Sequence, residues 1–357
     1  MIRPISLNID TIFIMIDWIT GKFPFYFKGL LTDGEFLSIS ADGAIETRTL
    51  KRKIITGSYA SNITIRTFNV DENRNTCEVE LSGNPAKFMQ GHNLFGTLDA
   101  VNLIYSTLER ISSLLGVEQP IQFYNAWKAA SGIISRVDIN TMYSLGSRSD
   151  CLQWLHSASS SSRTRSQSAV TRGSTVYWNR ESRRWSLKAY SKGQELELPR
   201  NNKQGLIELN KPVLDWANDK LRIELTLKSN ELRHHNLHTL REFAKVEPLD
   251  LLDEYMEKMT ISDQLELEID VLQTLRGALK GTYSAWLAGI DCRSTMSKPT
   301  FYRHRKELLK YGIDISISKP VSNVVPFVRT ITMTPAAVPD WAIGTDLYFE
   351  PPKRFIL

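Results

Sequence analysis

Hydrophobic and polar residues alternate with period two at several places along this chain of 357 residues, and two runs do so most clearly. In residues 221–228, Leu221, Ile223, Leu225 and Leu227 oppose Arg222, Glu224, Thr226 and Lys228. In residues 132–140, Ile133, Ser135, Val137 and Ile139 oppose Ile134, Arg136, Asp138 and Asn140. Successive side chains of a strand point to opposite faces, so each run predicts a strand with one buried face. The other face offers an arginine two residues before a carboxylate. A third pattern lies in residues 173–195, where β-branched and aromatic residues flank a polar turn at residues 179–183, as in a β-hairpin. Its second strand sets Trp185, Leu187 and Ala189 against Ser186, Lys188, Tyr190 and Lys192.

The first hundred residues read as a meander of short antiparallel strands at residues 11–18, 23–27, 43–50, 64–70 and 77–81, separated by Gly, Asn and Asp. Residues 83–96, with three glycines and one proline, predict a tight shaped loop or a short helical turn. Val101, Ile104, Leu108, Ile111 and Leu115 then recur at helical spacing, with Thr97 as N-cap and Gly116 as the stop, a helix that must cover a sheet. Beyond Phe243 the composition changes. Residues 247–270 hold nine acids and one lysine, yet Leu251, Leu252, Tyr255, Met256 and Met259 keep a helical stripe, so a helix with a solvated acidic face is expected. A helix over residues 283–288, a break at Gly289, a basic helix over residues 298–310 and a strand at residues 313–318 come next, in the order of a winged helix-turn-helix. The expected fold class is therefore α+β: an antiparallel sheet backed by helices in residues 1–245, a winged-helix-like domain in residues 246–330, and a tail in residues 331–357.

Composition narrows the class of protein. With 42% hydrophobic and 23% charged residues the chain is an ordinary globular protein, and its early apolar segment, residues 12–19, is broken by Asp17 and too short to span a bilayer. No membrane partner is expected. Cys77, Cys151 and Cys292 are far apart and odd in number, which fits neither a disulfide framework nor a zinc cluster and suits a reducing cytoplasm. The net charge of +5 matters less than its distribution, because residues 163–192 carry eight Lys/Arg and one acid, Glu181. A polyanion belongs there. Arg163, Arg165, Arg172, Arg183, Arg184 and Lys188 are the candidate phosphate contacts, and the serine-rich run at residues 157–162 reads as a loop that orders on its ligand. In the second basic region Lys298, Arg303, His304, Arg305 and Lys306 would form a recognition helix, although a basic amphipathic helix is as often a solvated cap.

If the polar faces of the three strands coincide, Asp138, Glu224 and Tyr190 converge, with Lys188 and Lys192 beside them. Two carboxylates with a nearby His92 are hard ligands suited to Mg²⁺ or Mn²⁺, which would polarise a phosphodiester. A tyrosine could then be the nucleophile, but with a reference pKa of about 10 it needs help, which Lys192 could give by lowering that pKa or by protonating the leaving group. Paired surface charges and an ordinary half-buried tyrosine explain the same residues taken one at a time. His234, His235 and His238 lie in no zincin pattern, so zinc is not expected. No glycine-rich phosphate loop comes after a strand.

Five stretches carry a resemblance. Residues 84–97, containing Pro85-Ala86-Lys87 and Gln90-Gly91-His92-Asn93, resemble the signature PAK-x-x-QGHN-x-FGT of the replication initiators of filamentous bacteriophages, the gene II protein family. Ser135-Arg136-Val137-Asp138 is similar to its SR-[IV]-D strand, and Ser174-Thr175-Val176 with Trp178-Asn179 and Leu187-Lys188-Ala189-Tyr190 to its STV-x-WN … L-x-AY hairpin. Leu221-Arg222-Ile223-Glu224 resembles its [VL]-R-[FI]-E strand, and residues 303–313 its RH-x-x-ELLK-x-GI helix. The matches keep their order along the chain. The resemblance implies a rolling-circle initiator: a metal-dependent endonuclease that nicks one strand of the origin, keeps the 5′ phosphate on a tyrosine and rejoins the displaced strand. Tyr190 falls on the nucleophile position, and Asp138, Glu224, His92 and Glu80 are the expected ligands of Mg²⁺, with Mn²⁺ as a substitute. The implied fold is related to the endonucleases named for a His-hydrophobic-His motif, although here His92 is followed by Asn93 and Leu94. Implied partners are phage origin DNA, duplex and single-stranded, and in the host cytoplasm a replicative helicase, a DNA polymerase and a single-strand-binding protein, with a homo-oligomer on DNA also open. Met15-Ile16-Asp17-Trp18 resembles the way family members begin, so residues 1–14 are expected to be an extension. A non-catalytic origin-binding or transcription-regulating protein that works through the winged helix is the competing reading, and only the nicking enzyme predicts a covalent protein–DNA adduct.

Overall fold

The computed structural model describes residues 14–161, 169–197, 211–258, 264–267, 275, 277–311, 313–316 and 329–350. Its strands, in chain order, are β1 (Ile14–Phe27), β2 (Glu35–Ile39), β3 (Ile45–Leu50), β4 (Lys53–Thr56), β5 (Asn62–Val70), β6 (Thr76–Gly83) and β7 (Ile133–Ser144). They continue with β8 (Val170–Arg172), β9 (Thr175–Trp178), β10 (Trp185–Ser191), β11 (Lys220–Lys228), β12 (Gln264–Leu267), β13 (Arg329–Thr332) and β14 (Thr334–Pro335). One large antiparallel sheet runs in the order β4-β5-β6-β1-β7-β11-β10-β9-β8, with β14 on β7, while β2-β3 and β12-β13 form separate pairs. The helices are α1 (Pro85–Gln90), α2 (Ala100–Leu115), α3 (Ile121–Lys128), α4 (Arg148–Ser161), α5 (Lys192–Leu196) and α6 (Lys211–Ala217). After these come α7 (Ser229–His234), α8 (Leu240–Phe243), α9 (Pro248–Glu257), α10 (Ala278–Leu287) and α11 (Lys298–Leu308). An antiparallel sheet backed by helices is thus what the chain forms.

One face of the sheet holds the main core. Ile16 and Ile19 of β1, Val137 and Ile139 of β7, Ile223 and Leu225 of β11, and Leu187 and Ala189 of β10 are buried there under Leu103, Ile104, Leu108 and Ile111 of α2, Leu152 and Leu155 of α4, and Leu251, Leu252 and Tyr255 of α9. Each large aliphatic side chain so buried contributes about 1.5–3 kcal/mol. The alternation leaves the other face of the same strands polar at its centre. At one end that polar face runs into a second apolar cluster, in which Met15, Met142, Leu94, Phe95, Val213 and Ala217 pack with Ala336 and Ala342. A third cluster, around Trp286, Phe301, Leu308 and Ile313, belongs to α10 and α11.

Several expectations change in detail. The strands expected at residues 11–18 and 23–27 are one continuous β1, carried through Gly21, where a Cβ would meet Ile133 O and the Phe23 ring at 2.7 Å. Residues 1–13 lie outside the described residues. The N-cap of α2 is Asp99, whose side chain accepts from Asn102 N, while Thr97 Oγ1 accepts from Asp99 N; Gly116 ends the helix at φ 65°. The serine run does not start as a loop, because Leu152, Leu155 and Ala158 anchor α4 through to Ser161, and residues 162–168 are outside the described set. The acidic helix forms as α9, buried through its apolar stripe. Residues 313–316 form no strand: Asp314 draws in Arg305 at 2.6 Å and accepts from Ser316 N, which turns the chain where a wing strand was expected. Residues 312 and 317–318 are outside the described set. The tail is not an appendage, for β14 pairs with Tyr143 and Ser144 in the lane that β1 enters at Ile14 opposite Thr141. Cys77, Cys151 and Cys292 are unbridged. Among the described residues no helix is long and apolar enough to cross a membrane.

Candidate active site

Tyr190 sits near the end of β10 with Arg222 of β11 directly across from it on one side and Thr175 of β9 on the other. Its ring is 8% exposed, and its hydroxyl donates a long hydrogen bond, 3.4 Å, to Glu224 Oε2. Burial pushes the phenol well above its ordinary pKa, against the pull of the Arg222 guanidinium. Such a tyrosine does not ionise by itself at neutral pH; it needs a proton acceptor, and Glu224 is in reach. Lys188, across from Glu224, binds the other carboxylate oxygen at 2.6 Å. Burial raises the Glu224 pKa despite that lysine, and the charge of Asp138 raises it further.

Next to β11 in the sheet, β7 brings Asn140 across from Glu224 and puts Asp138 one step along the same face. Asp138, 2% exposed, accepts two hydrogen bonds from Arg136, at 2.8 and 2.6 Å. Asn140 is fully buried, and neither its Nδ2 nor its Oδ1 has a hydrogen-bond partner among the described residues, a cost of about 1–3 kcal/mol for each unsatisfied group. From the other side β1 contributes Asp17, displaced by an irregularity between Ile16 and Trp18. It accepts from Asn84 at 2.7 Å and Asn93 at 3.0 Å, and burial followed by the nearby Glu224 charge raises its pKa. The convergence of Asp138, Glu224 and Tyr190 expected from strand alternation is therefore present.

The loop after α1 braces this face. Asn84 caps α1, Gly91 closes it at φ 89°, and Gln90 Nε2 donates to Phe95 O at 2.7 Å. Asn93 is the hub: it donates to Asp17, accepts from Lys192 Nζ at 2.9 Å, and its carbonyl accepts from Arg222. Among the described residues His92 does not join the carboxylates in a metal-holding group. Its Nδ1 accepts from Leu94 N, its ring meets Phe95 edge-on, and the Leu347 backbone adjoins it. Burial, then the charge of Lys192, lowers its pKa to about 4, so it works as a neutral brace and is no partner of Asp138 or Glu224 in this geometry. Lys192 departs from the expected strand face as well. β10 ends at Ser191, which caps α5, so Lys192 begins that helix, fully buried, with its ammonium on Asn93 and on Glu195 at 2.8 Å instead of on Tyr190. Glu80 shares the polar face but is claimed by Arg52 at 2.8 Å and Arg66 at 2.5 Å. It pairs with Lys22 two strands from Asp138, on the order of 15 Å away by strand spacing.

The predicted phosphate contacts divide. Arg163 and Arg165 lie outside the described residues, whereas Arg172 and Arg183 are exposed at the hairpin edge. Arg184 is tied to Glu231 and Lys188 to Glu224. On α11, Lys298, Arg303 and Lys306 are exposed, but His304 is buried and hydrogen-bonded to Thr282 at 2.8 Å, and Arg305 is held by Asp314. Both of these are engaged within the protein. Asp17, Asn93, Arg222 and Asn140 were not assigned from sequence; the signal for Asn140 was its place two residues after Asp138 on the same alternating face, and for Asp17 its interruption of an apolar run.

The family model for the N-terminal part of the phage replication-associated protein, the gene II product, matches residues 15–246, and the model for the C-terminal part of the same protein matches residues 270–348. The replication-associated gene II protein of Enterobacteria phage I2-2 is 34% identical over 329 residues, covering 91% of this chain and 95% of the relative. That of Salmonella phage IKe is 23% identical, covering 92% and 88%, and that of Enterobacteria phage M13 is 26% identical over 212 residues, 55% of this chain and 48% of the relative. Among solved structures, a rolling-circle replication initiator protein from Geobacillus stearothermophilus aligns over 70% of this chain and 86% of its own at 12% identity, with a TM-score of 0.32. The two family models and the relative from phage I2-2 settle membership: the chain belongs to the filamentous-phage replication-associated protein family, the gene II initiators that its motifs resemble.

Proposed function

We propose that the chain initiates rolling-circle replication by nicking one strand of a double-stranded phage origin through attack of Tyr190 on a phosphodiester, and that it later rejoins the displaced strand. The observation that carries this reading is the buried Tyr190 hydroxyl hydrogen-bonded to Glu224 on a face that also holds Asp138. In the forward step the phenol gives its proton to Glu224, the phenolic oxygen bonds to phosphorus, and the 3′ oxygen leaves with the electron pair of the broken P–O bond and takes a proton from solvent water to become a 3′ hydroxyl. The 5′ phosphate stays on Tyr190, and attack by a 3′ hydroxyl reverses the step. Arg222 fixes the phenol from the opposite strand and offers positive charge as the oxygen becomes anionic.

Asp138 and Glu224 are the residues that would hold Mg²⁺ or Mn²⁺. They fit: both are hard oxygen donors, both are buried, and each already has a cation against it at 2.6 Å, so positive charge is what this face requires. When bound, such an ion neutralises charge on the phosphodiester and its leaving oxygen. Duplex origin DNA is gripped by Arg172 and Arg183 at the hairpin and by Lys298, Arg303 and Lys306 on α11, which present an exposed basic helix face. Host helicase, polymerase and single-strand-binding protein would act on the nicked product in the bacterial cytoplasm. The deciding experiment incubates the protein with supercoiled origin DNA and Mg²⁺ and resolves the products on a denaturing gel. A nicked circle with protein covalently on its 5′ end is expected; binding without any adduct would leave a non-catalytic origin-binding protein.

A further inference from the structure

The carboxylates of the polar face leave a gap in their own shell. Among the described residues no three of His, Cys, Asp and Glu come together in a way that could hold a metal ion, and Asp17 is already engaged by Asn84 and Asn93. Between Asp138 and Glu224, however, stands a donor of another type. Asn140 is the residue directly opposite Glu224 on β11 and lies one step from Asp138 on β7. Side chains directly opposite on antiparallel strands have Cβ atoms about 4.5–5.5 Å apart, and residues i and i+2 of one strand are about 6.6 Å apart. Three oxygens from such positions can converge on one ion at the roughly 2.0–2.1 Å that magnesium requires.

We infer that Asn140 Oδ1 is the third protein ligand of the divalent cation, completing with Asp138 and Glu224 a site of two carboxylates and one amide. This rests on the reading of Asp138 and Glu224 as ligands given above. The second observation is the state of Asn140 itself: it is 0% exposed, and both polar atoms of its side chain lack partners among the described residues. Two of its neighbours on that face do not call for an amide, since it pairs with Met15 of β1 and precedes Met142 of the second apolar cluster, and Arg222, diagonal to it across from Met142, makes no hydrogen bond to it among the described residues. The amide is therefore explained by something it binds. Arg136 and Lys188, which now neutralise the two carboxylates, have side chains 43% and 31% exposed and can swing outward to admit the ion. A neutral third ligand also suits the substrate, because a third carboxylate would add repulsion against an incoming phosphodiester and an amide does not.

The test uses the full chain without DNA and Mn²⁺ as the probe, read by electron paramagnetic resonance or calorimetry. The wild type should bind Mn²⁺, Asn140→Ala and Asn140→Leu should bind it at least tenfold more weakly, and Asn140→Asp should keep binding. The metal-free melting temperature of Asn140→Leu should equal or exceed that of the wild type, because the substitution removes unpartnered polar groups and matches the methionines around it; this variant also guards against an alanine form that does not fold. If Asp138→Ala loses Mn²⁺ while Asn140→Leu binds as the wild type does, the assignment of Asn140 is overturned and the parent reading stands. If the wild type binds no Mn²⁺, both fall together.

Discussion

Tyr190→Phe removes one oxygen and keeps the ring that packs between Lys188 and Arg222, so folding and origin binding should change little while strand cleavage and the covalent adduct disappear. Tyr177→Phe is the matched control. It lies across from Lys188 on the neighbouring strand, under Arg180 at 5.3 Å, and should retain both activities. An adduct still formed by Tyr190→Phe would move the nucleophile elsewhere. His92 makes a separate prediction about pH. Burial and the charge of Lys192 hold it to about 4 in the folded protein against a reference value of 6.5, so the unfolded chain takes up its proton first. Stability from this group is complete above about 6.5 and is lost as the pH falls towards 4, by on the order of 3 kcal/mol. Chemical denaturation at a series of pH values should show that slope, and His92→Leu should flatten it. The neutrality of His92 was not legible in the sequence: a histidine between glycine and asparagine reads as a ligand or as a surface residue, and only the loop folding back beneath Phe95 and Leu347 decides otherwise.

At the scale of elements, α11 separates two kinds of basic residue that one helical period presents alike. Replacing Arg303 and Lys306 together with Ala should leave the melting temperature nearly unchanged and lower the slope of log affinity against log salt by about two, since each lost phosphate contact removes roughly 0.9. Arg305→Ala should instead destabilise by about 3–5 kcal/mol, because Asp314, whose side chain is fully buried, loses its charge partner. Equal salt slopes for the two variants would mean that α11 does not meet DNA through its exposed face. The same contrast marks how much of the fold was legible. Strand alternation carries a period and therefore a face, which is why Asp138 and Asn140 could be placed together on the polar face of one strand and Glu224 on that of another from residues 132–140 and 221–228 alone; that the two faces coincide is shown by the β7–β11 pairing. It carries no lane order, no bulge and no end. Asp17 enters the site through an irregularity in β1, Lys192 leaves the strand because Ser191 caps a helix, and Glu80 sits two lanes away. Asp17 and Glu80 are placed by tertiary pairing that has no local signal, whereas the Ser191 cap is local and competes with the strand period. The turn at residues 313–316, where a strand was expected, is of the tertiary kind, since the Arg305–Asp314 pair ties α11 to a residue beyond its end.

At the scale of the molecule, the C-terminal segment packs back on the sheet beside the loop that braces the face holding Tyr190. β14 occupies the lane just ahead of β1, and Ala336 N donates to Met142 O at 2.9 Å. Phe349 N donates to Gln90 Oε1 at 2.7 Å, and Trp341 and Tyr348 meet Phe95 edge-on at 6.1 and 6.4 Å. Gln90 and Phe95 belong to the loop whose Asn93 holds Asp17, Lys192 and Arg222, so the last described residues brace the surroundings of Tyr190 from behind. Tyr348→Ala removes a half-buried ring and one aromatic contact worth about 0.5–1.5 kcal/mol beyond its area. The expected loss is about 2 kcal/mol in a single cooperative melt, accompanied by slower cleavage of a pre-formed, single-stranded origin oligonucleotide that needs no grip on duplex DNA. Duplex affinity through α11 should stay as it was, because that helix has its own small core. A segment that merely trailed from the fold would behave differently: the variant would melt like the wild type and cut single strands at the wild-type rate, and the bracing of the loop would then have to come from Trp216 and the α6 side alone.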